Sequence, residues 1–83
     1  MKLLLTFKSY ADVFLCEKAG NGAGLSCHVI PVPRSLGITC DYAVEIQNVD
    51  ENNVYAILEL LKKNNLQYTK IFHSRLTADG EVY

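Results

Sequence analysis

Two prolines separated by one valine, Pro31-Val32-Pro33, close a β-prone run that begins at Leu25. Proline has no N–H to give to a ladder, so a strand that carries Pro31 belongs at the edge of its sheet. A second run constrains the sheet from the other side. Lys2 to Phe7 places Leu3, Leu4 and Leu5 at consecutive positions, the pattern of a strand covered on both faces and therefore central. A third run, Tyr42 to Gln47, alternates. Tyr42, Val44 and Ile46 fall on one face, Ala43, Glu45 and Gln47 on the other, as in a third strand. Tyr68 to His73 reads as a fourth.

Two helical patterns separate these strands. Ser9 is a candidate N-cap with Asp12 three residues on, a partial capping box. Ala11, Phe14, Leu15 and Lys18 then recur at helical spacing. Gly20, Gly22 and Gly24 predict that this helix stops near Gly20 and gives way to a loop. Asp50 is the second N-cap candidate. Val54, Ile57, Leu58 and Leu61 follow at i, i+3, i+4 and i+7, the strongest helical signal in the chain. Lys62 and Lys63 suit the negative end of that helix dipole. Asn64 or Asn65 suits the left-handed cap, with Leu66 folding back on the last turn.

The order is strand, helix, strand, strand, helix, strand. Right-handed crossovers turn it into an α+β fold, a ferredoxin-like βαββαβ plait: a four-stranded antiparallel sheet with two helices on one face. The first and third strands are then central, the second and fourth at the edges. Residues 1–75 form the single domain. Residues 76–83 make a polar C-terminal tail that contains Asp79-Gly80, either a hairpin extension or a frayed end. The face without helices is expected to expose Leu4 and Ala43, with Phe72 or Ile71, among Thr6, Glu45 and Gln47. A partly apolar open face of this kind suits a homo-oligomer or a docked partner.

Composition narrows the function classes. A chain of 83 residues holds one domain. A formal charge of -1 lacks the basic footprint that nucleic acid requires. No apolar run approaches the roughly 20 residues of a membrane span, and Leu3 to Leu5 is too short for a signal-peptide core. The expected location is cytoplasmic, where three cysteines stay free thiols. No cofactor motif is present. The glycine-rich stretch Gly20 to Gly24 follows a helix and precedes a strand, the reverse of a phosphate-binding loop. Cys16, Cys27, His28 and His73 match no metal-ligand spacing, so no metal site is expected. No base, oxyanion-donor set or carboxylate pair suggests turnover chemistry, which favours a carrier or binding protein over an enzyme.

One loop carries chemistry. Cys40 immediately precedes the third strand and follows Pro33, Arg34, Ser35, Leu36, Gly37, Ile38 and Thr39. Loops between strands lie at the surface, so its thiol is reachable. Arg34, Ser35, Thr39 and a run of backbone N–H groups offer positive charge and donors, the surroundings that favour a thiolate nucleophile. The adjacent Asp41 works against the anion. The competing reading is a small apolar side chain half-buried at a strand start. Cys16, in the first helix, and Cys27, in the second strand, read as packing residues.

The stretch Ile30-Pro31-Val32-Pro33-Arg34, with Leu36 and then Cys40 six residues after the arginine, resembles the selenium/sulfur carrier-like family of small domains. The opening strand with Ser9 and Glu17-Lys18, and the second helix with Val54, Leu58 and Leu61, extend the likeness from about Leu3 to Phe72. Asp41 stands where the family usually has glycine. The resemblance implies that Cys40 carries sulfur or selenium as a persulfide or selenopersulfide, received from a donor protein such as a cysteine desulfurase. Pro33, Arg34, Ser35 and Thr39 are then its binding loop. Two readings of other classes stand beside it. One is a non-catalytic regulatory or scaffolding plait that acts through its open sheet face. The other is a redox or metal sensor built on the three thiols.

Overall fold

The computed structural model describes residues 1–83. It contains β1 (Leu3–Thr6), α1 (Tyr10–Gly22), β2 (Ser26–Pro31), a 3-10 turn (Arg34–Leu36), β3 (Tyr42–Gln47), α2 (Glu51–Lys63), β4 (Lys70–His73), β5 (Arg75–Thr77) and β6 (Gly80–Val82). Four strands make one antiparallel sheet in the order β2-β3-β1-β4, and β5 pairs only with β6. The leucine-rich strand is central and the proline-bearing strand is an edge, as their sequences require.

Local chemistry sets the helix ends. The Ser9 hydroxyl accepts from the Asp12 N–H at 3.3 Å. The Asp50 carboxylate accepts from the N–H groups of Asn52 and Asn53 at 2.9 and 3.0 Å. These bonds satisfy donors that a helix start leaves orphaned. At the end of α2, Asn65 takes a left-handed φ of 55°. The Leu66 N–H returns to the Leu61 carbonyl at 2.9 Å and buries the leucine.

The core lies between the sheet and the helices. Leu3, Leu5, Val44, Ile46 and Cys27 from the strands meet Val13, Cys16, Ile57 and Leu61 from α1 and α2. Burying such side chains contributes about 1.5–3 kcal/mol each.

Helix α1 departs from its sequence pattern in two ways. Its buried residues are Val13, Cys16 and Gly20, while Phe14 and Leu15 are 55% and 54% exposed. The Ala11, Phe14, Leu15, Lys18 stripe therefore faces away from the core. The helix also runs on to Gly22 rather than stopping near Gly20. Gly20 belongs inside it because the Cys27 sulfur occupies the place where a Cβ would sit. Close helix–strand packing outweighs the low helical propensity of glycine.

The face opposite the helices also differs from expectation. Leu4 and Ala43 are fully buried. The 76–83 segment takes the hairpin form of the two expected for it: Arg75–Thr77 pairs with Gly80–Val82, and the hairpin folds back across that face. Glu81 accepts from Ser74 at 3.0 Å and pairs with Lys2 at 3.1 Å. The Tyr83 hydroxyl donates to Glu45 at 2.6 Å, the residue opposite Leu4 on β3. Burial first, and then the Glu45 contact, push the Tyr83 phenol well above its ordinary range, so it is held as a donor.

Candidate functional site

Antiparallel pairing places the C-terminal end of β1 beside the N-terminal end of β3. Whatever follows Thr6 therefore faces whatever precedes Tyr42. Lys8, Ser9 and Tyr10 arrive from the first side, and Ile38, Thr39 and Cys40 from the second. Between them lies a cleft of about 600 Å³. Thr69 and Lys70 close it from the start of β4.

The loop that carries Cys40 is shaped by its backbone. The Val32 N–H donates to the Asp41 carbonyl at 3.1 Å and pins the two limbs together. Pro33 precedes the 3-10 turn, whose bonds run from the Leu36 N–H to the Pro33 carbonyl and from the Gly37 N–H to the Arg34 carbonyl. Gly37 then turns the chain with a left-handed φ of 64°, a conformation glycine adopts without steric cost. The residues after it run back toward β3 along the cleft.

Cys40 is half-buried, whereas Cys16 and Cys27 are buried. Burial pushes the Cys16 thiol up to about 12, with Cys27 and Glu17 adding to the shift. Burial and Glu17 push Cys27 up to about 11. Both are packing thiols that stay protonated near neutral pH. Cys40 is the only one of the three that lines the cleft.

Charges around the cleft come from sources the sequence did not single out. Lys8 and Lys70 line it, and neither is held in an ion pair, since the only such pair in the chain joins Lys2 to Glu81. Asp41 supplies one opposing carboxylate. The hydroxyls of Thr6 and Thr69 bond each other at 2.6 Å, and the Lys70 N–H donates to Thr6 at 3.1 Å. This network fixes the floor. Tyr10 stands between Phe14 and Tyr42, with ring centroids 6.2 and 5.4 Å apart. The three exposed rings make an aromatic shoulder next to the thiol's cleft.

The expected site residues separate into two groups. Thr39 and Cys40 line the cleft. Pro33, Arg34 and Ser35 lie on the outer limb, with Arg34 and Ser35 exposed, and they do not line it. No group of three or more histidine, cysteine, aspartate and glutamate side chains is arranged to hold a metal ion.

A family model described as "Putative Se/S carrier protein-like" matches residues 2–73, from the first strand through the last strand of the four-stranded sheet. The chain belongs to this family. No curated protein and no solved structure matches it. The match spans the Pro31 to Cys40 loop and both halves of the cleft. In this Se/S carrier-like protein the β5–β6 hairpin begins beyond the matched residues. No helix is long and apolar enough to cross a membrane.

Lys8, Lys70, Tyr10 and Tyr42 were absent from the expected site. The signal for them was present in the element order. Once β1 and β3 are neighbours, Lys8 and Ser9 must lie beside Thr39 and Cys40. Pairing of Thr6 with Lys70 brings the second lysine to the same end.

Proposed function

We propose that this protein carries a terminal sulfur or selenium atom on Cys40 and relays it between partner proteins. The observation that supports this reading most is the contrast among the thiols: two are buried, and the third lies on the wall of an open cleft with two unpaired lysines. The fold we assign is the ferredoxin-like plait, consistent with the order β2-β3-β1-β4. The compartment we assign is the cytoplasm, where a free thiol persists.

The step is a thiol exchange at sulfane sulfur. The Cys40 thiolate attacks the outer sulfur of a donor persulfide, for example on a cysteine desulfurase. The donor's inner S–S bond breaks, and a new S–S bond forms on Cys40. The donor cysteine leaves as its thiolate; the outer sulfur keeps its proton across the transfer and then gives it to solvent, which leaves the loaded persulfide as an anion. No oxidant is consumed. Selenium follows the same course from a donor selenopersulfide. An acceptor thiolate or another nucleophile then removes the outer atom. The lysines place positive charge on the cleft beside the thiolate that attacks and the persulfide that forms. Arg34, Ser35 and Pro33, on the exposed outer limb, are assigned to contact with the donor or acceptor, and Thr39 to the wall beside the sulfur.

The experiment is to incubate the protein with a cysteine desulfurase and free cysteine and to record its intact mass. One added sulfur, absent from Cys40→Ser and removed by a thiol reductant, is the expected result. An unchanged mass overturns the proposal and leaves the scaffolding reading.

A further inference from the structure

The two edges of the sheet are finished differently, and the difference points to how copies of this chain associate. In an antiparallel pair, alternate residues direct their N–H and C=O groups to the partner and the others direct them outward. On β2 the Val32 N–H bonds to β3, so even-numbered residues point inward and Cys27, Val29 and Pro31 point outward. Each outward N–H is taken or missing. The Asn21 side chain donates to the Cys27 carbonyl at 3.1 Å and accepts from its N–H at 2.9 Å. The Glu17 carboxylate accepts from the Val29 N–H at 2.9 Å. Pro31 has no N–H. Helix α1 and one proline thus seal this edge against a further strand, a protection that exposed edges need.

The β4 edge has no such seal. The Ser74 N–H donates to the Lys2 carbonyl at 2.8 Å, and Phe72 lies opposite Leu4. Even-numbered residues of β4 therefore face β1, and the backbone groups of Ile71 and His73 face outward. They have no partner within the chain. The hairpin that follows turns across the open face toward Lys2 and Glu45 and leaves this edge clear. Beside it, a groove of about 620 Å³ runs between α2 and the segment entering β4, lined in part by Tyr55, Leu58, Leu66 and Tyr68. Tyr55 is 78% exposed, and Ile71 and Tyr68 remain exposed at its border.

We infer that the protein forms a two-fold dimer by antiparallel pairing of β4 with β4 of a second copy. The sealed β2 edge dictates this form. A β2-to-β4 contact would be head-to-tail and open-ended, but β2 offers no free donors. Within the four-stranded sheet one free edge per chain leaves only the isologous pairing, and that closes at two. A two-fold centred on Phe72 sets Ile71 opposite the partner's His73 and Lys70 opposite the partner's Ser74. No charged pair of like sign meets across the seam. The axis runs perpendicular to the sheet, so both helix layers lie on the same side. On the helix side of the seam each Ile71 then lies beside the partner's His73, with the two Ile71 side chains diagonal across the axis.

Sedimentation velocity over a range of concentrations tests this, with amide hydrogen exchange as the second readout. The expected result is a monomer–dimer equilibrium with no larger species. Exchange at the Ile71 and His73 amides slows as concentration rises, while Phe72 is protected throughout. Ile71→Pro copies on this edge the device already present at Pro31 and removes only an outward donor, so it yields a folded monomer by circular dichroism. Ile71→Glu does the same through charge and exposure. Cys40→Ser leaves the dimer intact. A wild-type protein that stays monomeric at every concentration overturns the inference. So does a dimer that survives both Ile71 variants, or a series of species that grows beyond two.

Discussion

Three cysteines in one small chain sit in three environments, and burial decides what each can do. Cys16 and Cys27 are shut in the core with thiols raised to about 12 and about 11. Cys40 stands half-exposed on the cleft wall. Brief treatment of the native protein with iodoacetamide near neutral pH is expected to label Cys40 alone, with all three labelled after denaturation, as peptide mapping by mass spectrometry reads directly. Cys27 has a structural duty as well. Its sulfur fills the space over Gly20. Alanine normally stabilises an exposed helix position over glycine by about 1 kcal/mol. At position 20 the sign reverses, and Gly20→Ala is expected to destabilise by about 1–3 kcal/mol through overpacking. Chemical denaturation checks it, and Cys27→Ala in the same chain should recover most of the loss. The loop pointed to Cys40 as the candidate thiol but hid the lysines, because Lys8 and Lys70 lie 32 and 30 positions from Cys40 and join it only through strand pairing.

The elements with clear physical signatures were legible. Consecutive leucines marked the central strand, Pro31 the edge, and Asp50 with Val54, Ile57, Leu58 and Leu61 the second helix. Helix α1 was not, because its exposed stripe is more apolar than its buried one. Phe14 and Leu15 face outward while Cys16 and Gly20 face in, so a hydrophobic pattern reads the wrong face. What settles α1 instead is polar: Glu17 and Asn21 cap the outer backbone of β2. Asn21→Ala should leave the Cys27 N–H and carbonyl without partners and cost about 1–3 kcal/mol by urea denaturation. It should also open the β2 edge, so light scattering on this variant is expected to show species larger than a dimer. Asp50→Ala removes the acceptor for two N–H groups and should cost about 1 kcal/mol with no change in association.

At the scale of the whole molecule, the C-terminal hairpin turns a sheet with one open face into a body with Leu4 and Ala43 buried. Its latch is charged. The Lys2 bond first, then the Ser74 bond, hold the Glu81 carboxyl below its ordinary value of 4.5. A depressed carboxylate contributes stability that is present above the unfolded value and is lost as pH falls through the folded one. Hairpin docking should therefore be constant near neutrality and weaken as pH falls below 4.5, seen as movement of the Leu4 methyl resonances with pH. Glu81→Gln is expected to remove that acid-dependent step. The Cys40 cleft, with its aromatic shoulder, is the surface to which the proposed exchange with other proteins is assigned. The most direct measurement loads the protein from a cysteine desulfurase, repurifies it, and maps the transferred sulfur by peptide mass before and after adding a thiol acceptor. One labile sulfur on the Cys40 peptide, removed by the acceptor, is the expected result. Sulfur found equally on the Cys16 and Cys27 peptides, or on none, would contradict it.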